Sequence, residues 1–334
     1  MASILREKLS VSLYSCLRWL IGGLALLPIG AVCWAQAPAW PTRPLKLIIP
    51  YAAGGGTDNA GRMLATQLSS TLGQPVVVEN RPGAGSAIGA EALAKAPPDG
   101  YTLMVATSAT LTVNPQLMSK LPYQVSDLAP VAIFSRLPLY VVVSATEGPR
   151  SFAELVSKGK SRELTFGTAG NGTMGHLGAE LIGLRSGVKL VHIPFKGLSA
   201  ALPEVATGRV DFAVADTSSA RGLIDAGKIK MLATSLAQRS ALEPEVPSMT
   251  EVGLKDVDVS AWLGIAAPKG TNPLILRRIE SEIMKAMANP EVRQQFARAG
   301  VEPYAVGTNA FNQLLKSEAS TWKQVIDKTG VKLD

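Results

Sequence analysis

The chain has 334 residues, of which 47% are hydrophobic, 5% aromatic and 18% charged, and its formal net charge is +7. This length is enough for two domains with sizeable cores. The lysines and arginines are scattered, without a basic block or a helix face that concentrates positive charge. This distribution argues against nucleic-acid binding.

The N-terminal segment has the pattern of a secretory signal peptide. A positively charged start precedes an apolar run from Trp19 to Trp34, and the small residue Ala35 follows. Glycines and a proline interrupt this run, so a membrane-spanning helix is a poor alternative. We predict cleavage after Ala35, which makes residues 1–35 the signal peptide and the periplasm the location of the mature chain.

Both cysteines, Cys16 and Cys33, fall inside the predicted signal peptide. The mature chain is therefore expected to fold in an oxidising compartment without a disulfide, a thiol nucleophile or a thiolate metal site. Nothing else in the sequence assembles a metal site, so we predict neither metal nor cofactor.

Beyond the signal, short branched apolar runs alternate with helical stretches, which predicts an α/β fold with parallel strands and helices on both faces. The predicted strands are 45–51, 74–79, 101–107, 140–144, 164–167, 189–193, 210–215, 229–234 and 258–267. The predicted helices are 57–72, 86–95, 175–185, one that ends at 207, and three after 272, of which Pro290 begins the second.

Two runs of strand–helix units with a similar plan predict two α/β lobes. We assign 38–141 and 262–334 to lobe 1 and 142–261 to lobe 2, with the chain crossing near 140–144 and 260–264. A cleft between two such lobes is a natural ligand site.

The first loop that carries chemistry runs from Pro50 to Asp58 and joins a strand to a helix. Unpaired amides and the dipole at a helix N-terminus form an anion site, and three glycines let the main chain approach a ligand closely. Thr57 or Asp58 is suited to cap the helix. A tight turn with an ordinary cap remains an alternative. A P-loop is excluded because no Gly-Lys-Ser/Thr follows.

The second loop, from Gly167 to His176, makes the same transition in the second run. Its small residues and Asn171 leave amides accessible and add a side-chain donor. Facing each other across the cleft, the two loops could hold two sides of one carboxylate or both ends of a dicarboxylate.

Other patterns in the sequence do not indicate catalysis. Gly83, Gly85 and Gly89 follow a strand but miss the spacing of a dinucleotide-binding loop. The two histidines, His176 and His192, lack a paired acid or nucleophile, which favours a structural role. We predict no catalytic residues.

Short motifs spread over almost the whole mature chain are specific in combination. They are Trp40-Pro41-x-Arg43-Pro44, the first loop ending in Asp58, Gly73 to Gly85, Asp99 to Leu103, Leu121-Pro122-Tyr123, Ala169 to Thr173 with His176, and Trp262-x-Gly264 with Ala267-Pro268. Together they resemble the extracytoplasmic solute-binding proteins of the tripartite tricarboxylate transporters, also called the Bug family.

The resemblance implies a type II periplasmic binding fold, whose two lobes close on a carboxylate held between the two loops. It also implies that the segment after Thr107 lines the cleft. The candidate ligand-binding residues are Ala53, Gly54, Gly55, Gly56, Thr57, Asp58, Ser108, Thr168, Ala169, Gly170, Asn171, Gly172, Thr173 and Asp216.

The sequence departs from the family pattern in two places. Ala53 stands where a proline is common, which loosens the first loop. The acidic residue expected directly after the strand 210–214 is replaced by Ala215, and Asp216 follows one position later. Asp216 either accepts a hydrogen bond from a ligand hydroxyl or ammonium group, or is a solvated turn residue.

The resulting hypothesis is a monomeric periplasmic receptor that delivers a small mono-, di- or tricarboxylate to the membrane components of a tripartite tricarboxylate transporter. Lobe closure buries the ligand and creates the surface that these components recognise. A sensory binder that feeds a signalling receptor is one alternative. A secreted hydrolase is another, but it requires a nucleophile beside a base, which the sequence does not offer.

Overall fold

The computed structural model describes residues 40–332. The predicted signal peptide and the first residues assigned to lobe 1 lie outside this range. The strands are β1 (Leu45–Ile49), β2 (Val76–Asn80), β3 (Thr102–Thr107), β4 (Leu128–Ser144), β5 (Leu164–Thr168), β6 (Leu190–Pro194), β7 (Phe212–Asp216), β8 (Ile229–Thr234), β9 (Ser260–Pro268) and β10 (Glu302–Gly307).

Helices alternate with these strands for most of the described range. They are α1 (Gly56–Leu72), α2 (Ala87–Ala94), α3 (Asn114–Leu117), α4 (Phe152–Ser161), α5 (Met174–Ser186), α6 (Leu198–Ala206), α7 (Thr217–Asp225), α8 (Pro273–Ala288), α9 (Pro290–Arg298) and α10 (Thr308–Thr329). A single π-helical turn, Ala109–Val113, joins β3 to α3, and short 3₁₀ turns occupy Ala84–Ser86 and Val125–Asp127.

The strands follow the order β2-β1-β3-β9-β4-β7-β5-β6, and β8 and β10 also pair with β4. β1 lies parallel to β2 and β3, and β5 lies parallel to β6 and β7. The predicted α/β class is confirmed. Because parallel strands end at the same edge of a sheet, the loops that follow β1, β2 and β3 cluster together, and so do those that follow β5, β6 and β7.

Strand β4 belongs to both halves of the strand order. Its residues from Leu128 to Pro138 pair with β9, and from Leu139 onward it pairs with β7 and β8. The prediction of a strand at 140–144 alone was too short. Prolines weaken a strand pattern, and here Pro130 lies beside a register shift in the β4–β9 pairing.

The strands on the two sides of this change of partners form two sheets that share β4. Helix α10 packs against hydrophobic residues of both sheets. Near its start, Phe311 meets Trp262 of β9 edge-on, with ring centroids 5.0 Å apart. Nearer its end, Trp322 and Val325 are buried in a cluster that contains Phe166 of β5. No helix within residues 40–332 is long and apolar enough to cross a membrane.

Candidate functional site

A cavity of about 570 Å³ is lined by residues that follow β1, β2, β3, β5 and β6 and by residues of β4, β7 and β9. Both predicted loops contribute to its wall. From the first loop the cavity receives Thr57, and from the second it receives Ala169, Asn171, Gly172 and Thr173. The structure therefore brings the two loops to one space, as a shared ligand site requires.

The carboxylate of Asp58 is turned into the first loop and away from the cavity. The residue is only 2% exposed. Its oxygens accept hydrogen bonds from the Gly54 amide at 2.9 Å, from Arg62 Nε at 2.9 Å and from Asn80 Nδ2 at 2.8 Å. Burial alone raises the pKa of Asp58, but these hydrogen bonds outweigh it and lower the pKa. Asp58 thus stabilises the loop as a charged group.

The start of α1 has no side-chain cap, because its N-cap residue is Gly55. The amides of its first turn therefore lack partners within the helix, beside the point where Thr57 meets the cavity. Ala53, Gly54 and Gly55 are exposed, and Gly56 is half-buried. Gly54 has a φ of 85°, a left-handed conformation that favours glycine, and it turns the loop into the helix.

Internal hydrogen bonds hold the second loop in shape. The buried Thr168 hydroxyl accepts the Gly170 amide at 3.1 Å. The Thr173 hydroxyl donates to the Gly170 carbonyl at 2.9 Å and caps α5 by accepting the His176 amide. Thr168 and Gly170 therefore shape the loop from behind, while the residues around Asn171 face the cavity.

Both histidines lie beneath this second loop. His176 Nδ1 accepts the Gly172 amide at 3.1 Å, and the His176 ring stacks on His192 with centroids 3.7 Å apart. His192 Nε2 lies 2.6 Å from the Thr168 hydroxyl. Burial, followed by the neighbouring His176, lowers the pKa of His192 to about 4. The neutral imidazole of His192 thus supports the loop at neutral pH.

Asp216 lines the cavity and also caps α7. Its carboxylate accepts hydrogen bonds from the Ser219 amide and the Ser219 hydroxyl, each at 2.9 Å, and from the Ser218 hydroxyl. Both carboxylate oxygens are therefore engaged by the first turn of the helix. Asp216 therefore lies at the cavity wall, while its hydrogen bonds are those of a helix cap.

Ser108 lies on the cavity wall at the start of the π-helical turn, and behind it is a carboxylate that the sequence did not indicate. The Ser108 hydroxyl is 3.5 Å from Glu318 of α10. Glu318 also accepts Trp262 Nε1 at 2.7 Å and the Thr112 hydroxyl at 3.0 Å. Burial raises the pKa of Glu318 to about 7, against the effect of these donors. Glu318 links the cavity wall, β9 and the final helix.

A left-handed turn after β2 forms another part of the wall, through Ala84 and Gly85. Ala84, Gly85 and Ser86 have φ values of 46°, 57° and 82°. Asn114 donates to the Gly85 carbonyl at 2.7 Å, and the Ser86 and Thr110 hydroxyls are 2.9 Å apart. These contacts offset the strain of left-handed backbone at residues other than glycine. The position of this segment after a parallel strand was the one signal that pointed to it.

Four helices begin at the cavity. Thr57 of α1, Met174 of α5 and Leu198 of α6 lie in first turns, and Asp216 caps α7. Among the described residues that line the cavity there is no lysine, arginine or histidine. Each helix N-terminus carries a partial positive charge of roughly half an elementary unit, so the main chain makes this space attractive to anions.

Comparisons with known proteins place the chain among solute receptors. Residues 60–331 match the model of the tripartite tricarboxylate transporter family receptor. Protein BugT of Bordetella pertussis is 35% identical, with 93% of this chain and 97% of BugT covered.

Solved structures with the same fold include two with bound ligands. Rpa4515 of R. palustris with adipate is 29% identical, with a TM-score of 0.76 over 88% of this chain and 99% of that chain. MatC of Rhodopseudomonas palustris with bound malate is 29% identical, with a TM-score of 0.70 over 86% and 99% of the two chains.

Proposed function

The chain belongs to the tripartite tricarboxylate transporter receptor family, and from this premise we propose that it is a periplasmic receptor that captures a small organic carboxylate and delivers it to a membrane transporter of that type. The observation that carries the proposal is the convergence of four helix N-termini on one cavity whose described lining has no cationic side chain. Such a site binds an anion through several weak donors, so that the ligand can be released again.

Similar proteins support the carboxylate class of ligand. Two solved relatives with the same fold hold adipate and malate as bound molecules. By analogy, the amides in the first turns of α1 and α5 hold a carboxylate in this chain, assisted by Ser108 and Asn171. Asp58, Thr168 and Gly170 keep the two loops in the shape that this contact needs.

Two lobes centred on the two halves of the strand order close around the ligand in this proposal. In this proposal the chain crosses between the lobes at two points. One is near Leu139, where β4 changes partners, and the other is the start of β9 at Ser260. Contacts of α10 with both halves limit the amplitude of this movement. Closure presents a new surface to the membrane components of the transporter.

We further propose that the mature chain acts as a monomer, without catalysis, after removal of residues 1–35. The family and the similar solved structures are receptors, which supports a binding role without catalysis. The absence of a cysteine beyond Cys33 fits a chain built for the periplasm.

The test is a titration of purified mature protein, unfolded and refolded to remove carried-over ligand, against a panel of organic acids. At least one acid should bind with a Kd in the micromolar range or below and raise the Tm. A strain that lacks the protein should then fail to take up that acid. Normal uptake with a lost transcriptional response would favour a sensory role, and no binding by any acid would contradict the proposal.

A further inference from the structure

Much of the cavity wall is apolar, and both sheets contribute to it. On one side Leu263 of β9 and Met118 beyond α3 line the cavity, and on the other Met174, Leu198 and Val214 do so. Leu139, where β4 changes partners, lies between them. Apolar side chains on opposite walls give favourable contact only to a ligand that has an apolar body between its ends.

Several polar side chains of the wall already have hydrogen-bond partners within the protein. The hydroxyls of Tyr51 and Thr107 lie 3.1 Å apart, and Asn114 donates to the Gly85 carbonyl at 2.7 Å. The carboxylate of Asp216 is held by the first turn of α7. These groups have few hydrogen-bonding positions left for a second or third carboxylate of a ligand.

The charge of the cavity wall also disfavours a ligand with a second or third carboxylate. Asp216 is the one charged side chain among the described residues that line the cavity, and it is acidic. The four helix N-termini together supply about two elementary positive charges, and Asp216 offsets about one of them, which leaves enough for one carboxylate. Each further carboxylate must lose its water without a full countercharge and with Asp216 nearby, which is unfavourable.

We infer that the ligand of this cavity is a monocarboxylate with an apolar body, such as a medium-chain or aromatic acid, and not a compact di- or tricarboxylate. The inference rests on the proposed carboxylate-receptor function and specifies its ligand class.

The experiment is calorimetric titration of the refolded mature protein with two sets of acids. Acetate, butyrate, hexanoate and octanoate vary the apolar body at a constant head group. Affinity should rise about fourfold per methylene up to hexanoate, the value expected for burial of a CH₂ group. Hexanoate and adipate form a matched pair with the same six-carbon chain, and hexanoate should bind at least tenfold more tightly. Malate and citrate should bind more weakly than adipate.

A pair of variants links this preference to the wall. Leu198→Asn replaces an apolar wall residue with a polar side chain of similar size, and it should reduce the ratio of hexanoate to acetate affinity at least fivefold. Leu184→Asn makes the same exchange on α5 at a residue that is 39% exposed and outside the cavity, and it should leave the ratio unchanged.

The outcomes separate the two proposals. Tighter binding of adipate, malate or citrate than of hexanoate overturns the inference and leaves the carboxylate receptor intact. An affinity that does not change from acetate to hexanoate, or an equal effect of both leucine variants, also overturns the inference. Binding of no acid at all contradicts the receptor function, and the inference falls with it.

Discussion

In the proposed site, a ligand reaches the first amides of α1 by passing over Gly55. Its φ of −80° is open to any residue, and a β-carbon there would meet only the Ala52 carbonyl oxygen, at 3.8 Å. The loop itself therefore tolerates a side chain at this position. A change at Gly55 isolates the approach of the ligand from the folding of the loop.

We predict that Gly55→Val weakens carboxylate binding at least tenfold, about 1.4 kcal/mol, with little change in Tm. The added side chain covers the amides without straining the backbone. Gly222→Val in α7 is the matched control, because a β-carbon there meets nothing within 4 Å. Calorimetric titration measures both, and equal affinities would show that the anion lies elsewhere.

Gly170 behaves differently because its φ is 131°, which side chains rarely adopt. Its amide is also engaged by Thr168. Gly170→Val is therefore expected to lower stability and affinity together, and it tests the shape of the loop and not the approach of the ligand.

Glu318 makes the stability of the folded chain depend on pH, and its burial determines the sign of that dependence. Its pKa is raised to about 7 in the folded chain, from the ordinary value of 4.5. Its stabilising contribution is therefore fully present below pH 4.5, is lost as pH rises through 7, and stays constant above that. His192, with its pKa lowered to about 4, acts in the opposite direction, since its contribution is lost as pH falls below 6.5.

We predict that Glu318→Gln removes the decline in stability between pH 4.5 and 7, because glutamine keeps the size of the side chain and does not ionise. At pH 7 the difference in the free energy of unfolding should be about 1–3 kcal/mol in favour of the variant, relative to their difference at pH 4.5. Urea unfolding across this range measures it. Parallel curves for the two proteins would show that Glu318 does not titrate there.

At the scale of elements, α10 joins the packing of both sheets through different residues. Phe311 contacts Trp262 near its start, and Trp322 enters the cluster around Phe166 near its end. A helix that packs at both ends in this way couples the stability of one sheet to that of the other.

We predict that Phe311→Ala and Trp322→Ala each lower the free energy of unfolding by about 3–5 kcal/mol, within one cooperative transition. Both side chains are almost fully buried, at 0% and 2% exposed. Asn312→Ala, at an exposed position on the same helix, is the control. Calorimetry measures the transition, and two separate transitions in the unaltered protein would show that α10 does not couple the sheets.

Sequence patterns predicted the elements that obey local rules. Apolar runs followed by glycines located β1 and β5 and the two loops after them. The patterns missed β10, α3, α4 and α7 and most of β4. In α4, Gly159 weakens the helical signal, yet a β-carbon there would lie 2.3 Å from Val188, so close packing requires the glycine.

The residues of the candidate site also divide into those that the sequence predicted and those that it did not. The loop residues near Thr57 and Asn171 were predictable because a strand end and a helix start adjoin in the sequence. Glu318 was not, since it lies 210 residues from Ser108 and nothing local marks it. The role of Asp58 inside the loop was also hidden, because it depends on Asn80 at the end of the next strand, β2.

At the scale of the whole molecule, the position of the cysteines permits a test of export. We predict that the periplasmic protein lacks residues 1–35 by intact-mass measurement, and that its Tm does not change with reductant, because Cys16 and Cys33 are removed. The full-length chain with both cysteines, made in the cytoplasm, is the control. A periplasmic protein that retains Cys33 would contradict the prediction.

Because both sheets share β4, the strands can pair only in a certain order as the chain emerges from its N-terminus. The strands paired on one side of Leu139 all lie between residues 128 and 234, so they are present together early. On the other side, β3 pairs with β9, which ends at Pro268, and β4 pairs with β10, which ends at Gly307. These pairs form only after the later strands have emerged. Until then, β3 exposes an unpaired edge that can capture strands of other chains. The sheet that contains the N-terminal strands is therefore completed only after β9 and β10 have emerged.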